Sequence, residues 1–213
     1  MADIEKNQSE KPSDSKAALE PASDRIIISS RKTLSRQWTH LESVDLKYKR
    51  RDGQWQSQRR EIYHRDHGAA VLLYNIALRT IVLIRQFRFP VWDSEEEGFI
   101  IEVPAGLVET GDPEATIRNE VLEETGFIID KPQLLFRAYS TPGAVTEQVH
   151  YFCASYSADQ RIGTGGGAPD EGEDIEVLEV SFEKAADWMS SGKIIDAKTI
   201  MLIQYAQMHI FNE

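Results

Sequence analysis

The stretch AGLVETGDPEATIRNEVLEETGF, residues 105–127, decides the reading of this chain. Within it Ala115, Ile117, Val121 and Leu122 recur at helical spacing, Pro113 stands where a first-turn proline is tolerated, and Gly126 follows as a stop. The spacing predicts a helix from Asp112 to Thr125. On it Glu120, Glu123 and Glu124 fall at i, i+3 and i+4, so three carboxylates share one side of the helix. Each such like-charge pair costs a few tenths of a kcal/mol. Two explanations are open: an acidic face turned to water, or a group that holds a cation. Oxygen-only ligands of this kind suit Mg²⁺, with Mn²⁺ as the alternative.

The flanking residues favour the cation. Gly106, Asp112, Glu120, Glu123, Glu124 and Gly126, with aliphatic residues between them, resemble the loop–helix–loop signature of the Nudix family. Three positions depart from that pattern: the acid after the glycine is Asp112, the spacer before the helix motif is one residue short, and the motif arginine aligns with Asn119 while Arg118 lies one place earlier. The resemblance implies that Glu120 and Glu124 are metal ligands and catalytic residues, that Glu123 is a further or supporting ligand, and that the Ala105 carbonyl is another oxygen donor. It also places the backbone of Ala105, Gly106 and Leu107 against the substrate. The side chains of Leu107, Val121 and Leu122 read more simply as core.

Outward from this segment the chain reads as strands. Runs at Ile26–Ile28 and Trp38–Tyr48, with Asp52-Gly53 before Trp55, predict long antiparallel strands joined by a hairpin turn. Ala69–Tyr74, Thr80–Phe87, Gly98–Val103, Gln133–Tyr139, Val149–Ser155 and Ile175–Val180 predict sheet strands. Phe182–Ser190 and Ala197–Phe211 predict two closing helices, and Gly165-Gly166-Gly167 a long mobile loop. This order extends the resemblance over most of residues 40–211. It implies an α+β, α/β/α sandwich with a mixed central sheet and an N-terminal antiparallel β subdomain. The expected organisation is a disordered tail over 1–24, a dimerisation subdomain over 25–66 and the catalytic domain over 67–213.

Beyond the acidic helix, Arg59-Arg60-Glu61, Ile84-Arg85-Gln86-Phe87-Arg88, Pro142 to Glu147, and Gly165-Gly166-Gly167 leading to Glu173-Asp174-Ile175-Glu176 are similar to the GDP-mannose pyrophosphatase branch of that family. A pyrophosphate needs guanidinium groups, and Arg59, Arg60, Arg85 and Arg88 supply the clusters. Arg88 and Arg60 are the preferred pair, and Arg85 the one read as structural. The resemblance puts Trp38 at an aromatic position that stacks on the base, in that branch from a partner subunit; the alternative is a core tryptophan. It matches Glu147 and Lys198 to sugar or phosphate contacts and Glu61 to the substrate. Glu173 is the acid that completes the metal site and activates water, against the alternative of a solvated acidic run from Asp170 to Glu176.

The bulk composition sets limits. Lys plus Arg number 24 against 35 Asp plus Glu, a net charge of −11, which argues against backbone binding to nucleic acid. Cys153 stands alone in an apolar run, which excludes an intrachain disulfide and a thiolate zinc cluster and reads as packed core. His64, His67 and His150 lack metal-ligand spacing. No run reaches the roughly 18–20 apolar residues of a membrane span and no apolar signal core precedes Arg25, so a cytoplasmic protein is expected. The expected function is Mg²⁺-dependent hydrolysis of a nucleotide sugar, GDP-mannose giving GMP and mannose 1-phosphate, in a homodimer. ADP-ribose is the rival substrate, and a non-catalytic nucleotide-sugar sensor the rival from another class.

Overall fold

The computed structural model describes residues 22–94, 96–108 and 111–212. The expected tail falls outside the described residues up to position 21, as do Glu109 and Thr110 of the motif loop. Ala22–Arg25 form a 3-10 turn leading into β1 (Ile26–Arg36), β2 (His40–Lys49) and β3 (Trp55–His64). These make a three-stranded sheet in the order β1-β2-β3. The turn at Arg50–Gln54 forms as its Asp-Gly pair demands: Gly53 takes φ 81°, and Asp52 Oδ1 accepts from the Gln54 amide at 3.0 Å.

There follow β4 (Gly68–Asn75), β5 (Thr80–Phe87), a short helix α1 (Phe89–Asp93), β6 (Phe99–Glu102), β7 (Ala105–Leu107), α2 (Pro113–Thr125), β8 (Gln133–Tyr139), β9 (Gln148–Ser155), β10 (Glu176–Ser181), α3 (Phe182–Ser190) and α4 (Ala197–His209). Strands β4 to β10 form a mixed seven-stranded sheet, ordered β10-β5-β4-β9-β8, with β6 on β5 and β7 on β4. Only the β4–β9 pairing is parallel among the described ones.

Strand β4 explains the layering. Its side chains alternate, and both sets are covered. Ala70 and Leu72 join Ile81, Leu83, Ile101 and the α3–α4 residues Ala185, Leu202, Ile203 and Ala206 in one core. Ala69, Val71 and Leu73 join Val82, Phe152 and the α2 residues Ile117 and Val121 in the other. Helices therefore lie on both faces of the sheet, the expected α/β/α sandwich. Each fully buried Leu, Ile or Val contributes roughly 1.5–3 kcal/mol.

Three details depart from the sequence reading. The strand expected at Gly98–Val103 is β6, one residue shorter at each end, and a further strand, β7, follows beyond Val103 and Pro104, where proline cannot donate to the ladder. Leu122, read as core, is 42% exposed. The inner face of α2 is instead Ile117, Val121, Glu124 and Thr125, at i, i+4, i+7 and i+8, so one of its buried positions is a carboxylate. The last helix ends at His209 rather than Phe211.

The chain forms two compact units. Of the described residues, 22–32 and Ser43–Arg60 make the first; Thr33–Glu42 and those from Glu61 onward make the second. The turn that carries Trp38 thus belongs with the unit that holds the seven-stranded sheet.

Candidate active site

Helix α2 is fixed at both ends. Asp112 Oδ1 accepts from the amides of Glu114 (3.0 Å) and Ala115 (3.2 Å), a cap worth ~1 kcal/mol. At the other end Gly126 adopts φ 75°, and a Cβ there would stand 2.5 Å from the Gly163 carbonyl carbon, so no other residue fits. The Gly-rich loop then completes the helix. The Gly166 amide donates to the Glu124 carbonyl at 3.0 Å and the Gly167 amide to the Glu123 carbonyl at 3.2 Å, satisfying two of the carbonyls a helix end leaves open. The loop expected to be mobile is therefore hydrogen-bonded to the acidic end of α2.

That end faces β7. Glu124 is 1% exposed, and its Oε2 accepts from the Ala105 amide at 3.0 Å. Glu120 lies against Gly106: a Cβ on Gly106 would stand 2.5 Å from Glu120 Cγ and closer still to the carboxyl. Burial, and then the charge of Glu120, push the Glu124 carboxyl well above the ordinary carboxylate range; the Ala105 amide opposes them, and Glu173 and Glu102 add to the push. Glu173 is held through Oε2 by the Ala168 amide at 3.0 Å, and Gly167 lets it approach, since a Cβ there would stand 2.5 Å from that oxygen. Glu123 is exposed on α2.

Glu120, Glu124 and Glu173 are thus brought together with Glu102, which the sequence reading did not single out. Among the described residues, no three His, Cys, Asp or Glu side chains make a ready-made metal cage. The arrangement is an open group of acids around Glu124, two of which, Glu124 and Glu120, lie against the backbone of Ala105 and Gly106. A hard cation that keeps water and phosphate oxygens in its shell fits it, and its charge would relieve the repulsion that raises Glu124.

Glu102 is 2% exposed and binds two cations. Its Oε2 accepts from Arg88 Nε at 2.8 Å, and its Oε1 from Lys198 Nζ. Lys198 also meets Asp196 Oδ1 at 2.9 Å. Burial works to lower the Lys198 ammonium, but Glu102 and Asp196 outweigh it and hold the group above its ordinary value. Asp196 caps α4 by accepting from the Thr199 amide, and Thr199 Oγ1 accepts from the Val103 amide at 2.8 Å, which ties α4 to the end of β6.

Trp38 is 77% exposed, which overturns the core alternative. The Arg65 guanidinium lies over its ring, 5.0 Å from the centroid, and Arg65 Nε faces Glu147 Oε1 at 3.1 Å. Arg65, like Glu102, was missed: it stands alone between Asp66 and His64, and only the fold shows its neighbours.

The remaining candidates divide. Arg59 makes a two-point contact with Asp45 (2.7 and 3.1 Å) within the first unit; Arg60 donates to the Arg59 carbonyl there. Glu61 is exposed on β3. Arg85 lies over Phe99 and pairs with Glu176 at 3.3 Å, in keeping with a structural role. The displaced Arg118 donates to the Ile129 carbonyl at 2.8 Å, to the Asp130 carbonyl and to Glu114 at 3.1 Å, so it braces the far end of α2 instead of orienting the glutamates. Cys153 is buried at 4% exposure and its thiol is pushed up by burial.

The model of the NUDIX domain matches residues 64–200, and that of the GDP-mannose pyrophosphatase NudK N-terminal domain matches residues 25–63. The chain is 43% identical over 185 residues to the GDP-mannose pyrophosphatase of Shigella dysenteriae serotype 1 (strain Sd197), covering 86% of this chain and 96% of that protein. The same figures hold for the GDP-mannose pyrophosphatase of Escherichia coli O157:H7. The crystal structure of an ADP compounds hydrolase superposes with a TM-score of 0.67 over 88% of this chain and 95% of that one; at 18% identity this is a likeness of fold. With its acidic helix, its two-sided sheet and these matches, the chain belongs to the NUDIX family, in the group whose members are named GDP-mannose pyrophosphatases.

Proposed function

We propose that this chain hydrolyses the pyrophosphate bond of a nucleotide sugar in the presence of Mg²⁺ or Mn²⁺, with GDP-mannose as substrate and GMP and mannose 1-phosphate as products. The observation that carries the chemistry is the approach of Glu124 and Glu120 to the Ala105–Gly106 backbone, with Glu124 buried and within reach of the charges of Glu120 and Glu173. The identity to named GDP-mannose pyrophosphatases supports the substrate. The Glu120, Glu124 and Glu173 carboxylates and the Ala105 carbonyl would hold the metal, with Glu123 in support. Bound metal supplies positive charge to the pyrophosphate oxygens and acidifies water.

The chain's own groups do the rest. Glu173, steadied by the Ala168 amide, takes the proton of the attacking water. The water's oxygen forms a new bond to one phosphorus of the pyrophosphate while the bond from that phosphorus to the bridging oxygen breaks, and the leaving phosphate keeps the electron pair. Arg88 and Lys198, set side by side on Glu102, offer charge to the phosphates. Trp38 and Glu147 take the base and sugar, and Arg59, Arg60 and Glu61 add contacts from β3; the backbone of Ala105, Gly106 and Leu107 lines the phosphate end. No helix among the described residues is long and apolar enough to cross a membrane. That finding, the acidic charge and the buried thiol support a cytoplasmic setting, and the N-terminal sheet supports a homodimer.

The test incubates the purified protein with Mg²⁺ and, separately, GDP-mannose, ADP-ribose, UDP-glucose and dinucleoside polyphosphates, with the products separated by chromatography. GMP and mannose 1-phosphate should form fastest. Faster release of AMP from ADP-ribose would replace the substrate, and no turnover of any compound would favour a sensor.

A further inference from the structure

The Trp38 turn, the end of β3 and the loop before β9 are joined by bonds that serve no strand of the main sheet. The Thr39 hydroxyl donates to the His64 carbonyl. Tyr63 forms a parallel bridge with Val145; its amide donates to the Ala144 carbonyl at 2.8 Å, and its carbonyl accepts from the Thr146 amide at 3.1 Å. Thr146 Oγ1 accepts from the Arg65 amide at 3.0 Å and donates to the Arg65 carbonyl at 3.3 Å. The backbone of Arg65 is therefore held at both its amide and its carbonyl.

That side chain does two things at once. Its guanidinium covers one face of the Trp38 ring, while Trp38 as a residue stays 77% exposed, which leaves surface for another planar group. Its Nε is shielded from water and makes no hydrogen bond; it faces Glu147 Oε1 at 3.1 Å, off the hydrogen-bond axis, so that the attraction to Glu147 is what steadies it. The Glu147 side chain is only 18% exposed, so a carboxylate there needs a positive neighbour. A lysine would keep the charge but lose the flat group that stacks and reaches the acid together.

We infer that Arg65 is a positioning residue for nucleotide-sugar recognition: it holds the Trp38 ring and the Glu147 carboxylate as one preformed unit, without itself reacting. The inference rests on the reading of Trp38 and Glu147 as substrate contacts given above. Removing Arg65 leaves the carboxylate group of α2 untouched, so binding weakens while the chemical step stays the same.

The experiment measures kcat and KM with GDP-mannose and Mg²⁺ for the protein, Arg65→Met, Arg65→Lys, Glu147→Gln, Trp38→Leu and the Met substitution combined with each of the last two, with Tm for each. Arg65→Met should raise KM about five- to tenfold with kcat within about twofold, and Arg65→Lys should fall between. The effect of Arg65→Met should shrink on the Glu147→Gln background and on the Trp38→Leu background, since each has already lost one of the two contacts Arg65 serves. An unchanged KM, a loss confined to kcat, or full additivity with both partners would overturn the role. If Arg65→Met does not fold, the Lys variant carries the same test, and a KM equal to that of the unchanged protein would then overturn it. Preference for another nucleoside diphosphate compound would sink the substrate reading alone, because the same ratios are then taken with that compound.

Discussion

Gly106→Ala tests the acidic site by displacement. The added methyl would stand 2.5 Å from Glu120 Cγ and nearer still to its carboxyl, against the roughly 3.5 Å of a comfortable carbon contact, so Glu120 must retreat by about 1 Å. The obstacle is the end of a flexible side chain, and Gly106 has an ordinary backbone conformation, so the fold has little to give up. Stability should change by under about 1 kcal/mol, a Tm shift of roughly 2–4 °C for a chain of this size. Function should suffer far more, because a misplacement of about 1 Å at a reacting centre can lower the rate about a hundredfold, some 2.7 kcal/mol of transition-state stabilisation. The assay pairs thermal unfolding with GDP-mannose turnover over a Mg²⁺ titration. The loss should persist at saturating Mg²⁺ if Glu120 orients the reactants and be partly recovered if it only binds the ion. A variant that folds and keeps the original kcat/KM would refute the placement of Glu120 in the site.

Three further outcomes follow. Glu124→Gln should lose activity by orders of magnitude yet unfold no earlier than the original chain in EDTA, because the amide oxygen can still accept from Ala105 while the buried charge that burial and Glu120 disfavour is gone; a large drop in Tm there would count against it. Arg118→Ala should lower Tm by about 2–6 °C, from lost bonds to the Ile129 and Asp130 carbonyls worth about 1–2 kcal/mol, and leave kcat/KM within about twofold; a collapse of kcat would restore it to the glutamates. Cys153 should resist a chromogenic disulfide reagent at pH 8 in the folded protein and react at once in denaturant, since burial both blocks the thiol and holds it protonated.

The fold was legible where a pattern is local. Strand β4 announced itself as an unbroken apolar run because both its faces are covered, and α2 by its proline, its spacing and its glycine. Strand β7 and helix α1 were not legible: three residues with a glycine, and five beginning Phe-Pro, are too short to show a period. Leu122 misled because helical spacing alone leaves open which stripe faces inward. The inward one contains Glu124, a residue that composition assigns to the surface. A rule that buries hydrophobes goes wrong at such a position, where the buried carboxyl is held by the Ala105 amide instead of by apolar contact.

The same limit hides the basic half of the proposed site. Sequence alone nominates arginines by position and cannot show what restrains them, and in this acidic chain Arg88 and Lys198 each meet a carboxylate distant in sequence, as does Arg65, which the sequence did not nominate. Arg88 and Lys198 meet on Glu102, and Arg65 meets Glu147. Such a partner partly cancels the charge offered to a phosphate, yet it fixes a long side chain that would otherwise lose about 1.5–2 kcal/mol of rotamer freedom on binding. If orientation outweighs that cancellation, Glu102→Gln should weaken substrate binding even though it raises the net positive charge beside the pyrophosphate. Tighter binding in that variant, read as a lower KM at matched ionic strength, would mean that charge, not orientation, is what Arg88 and Lys198 contribute.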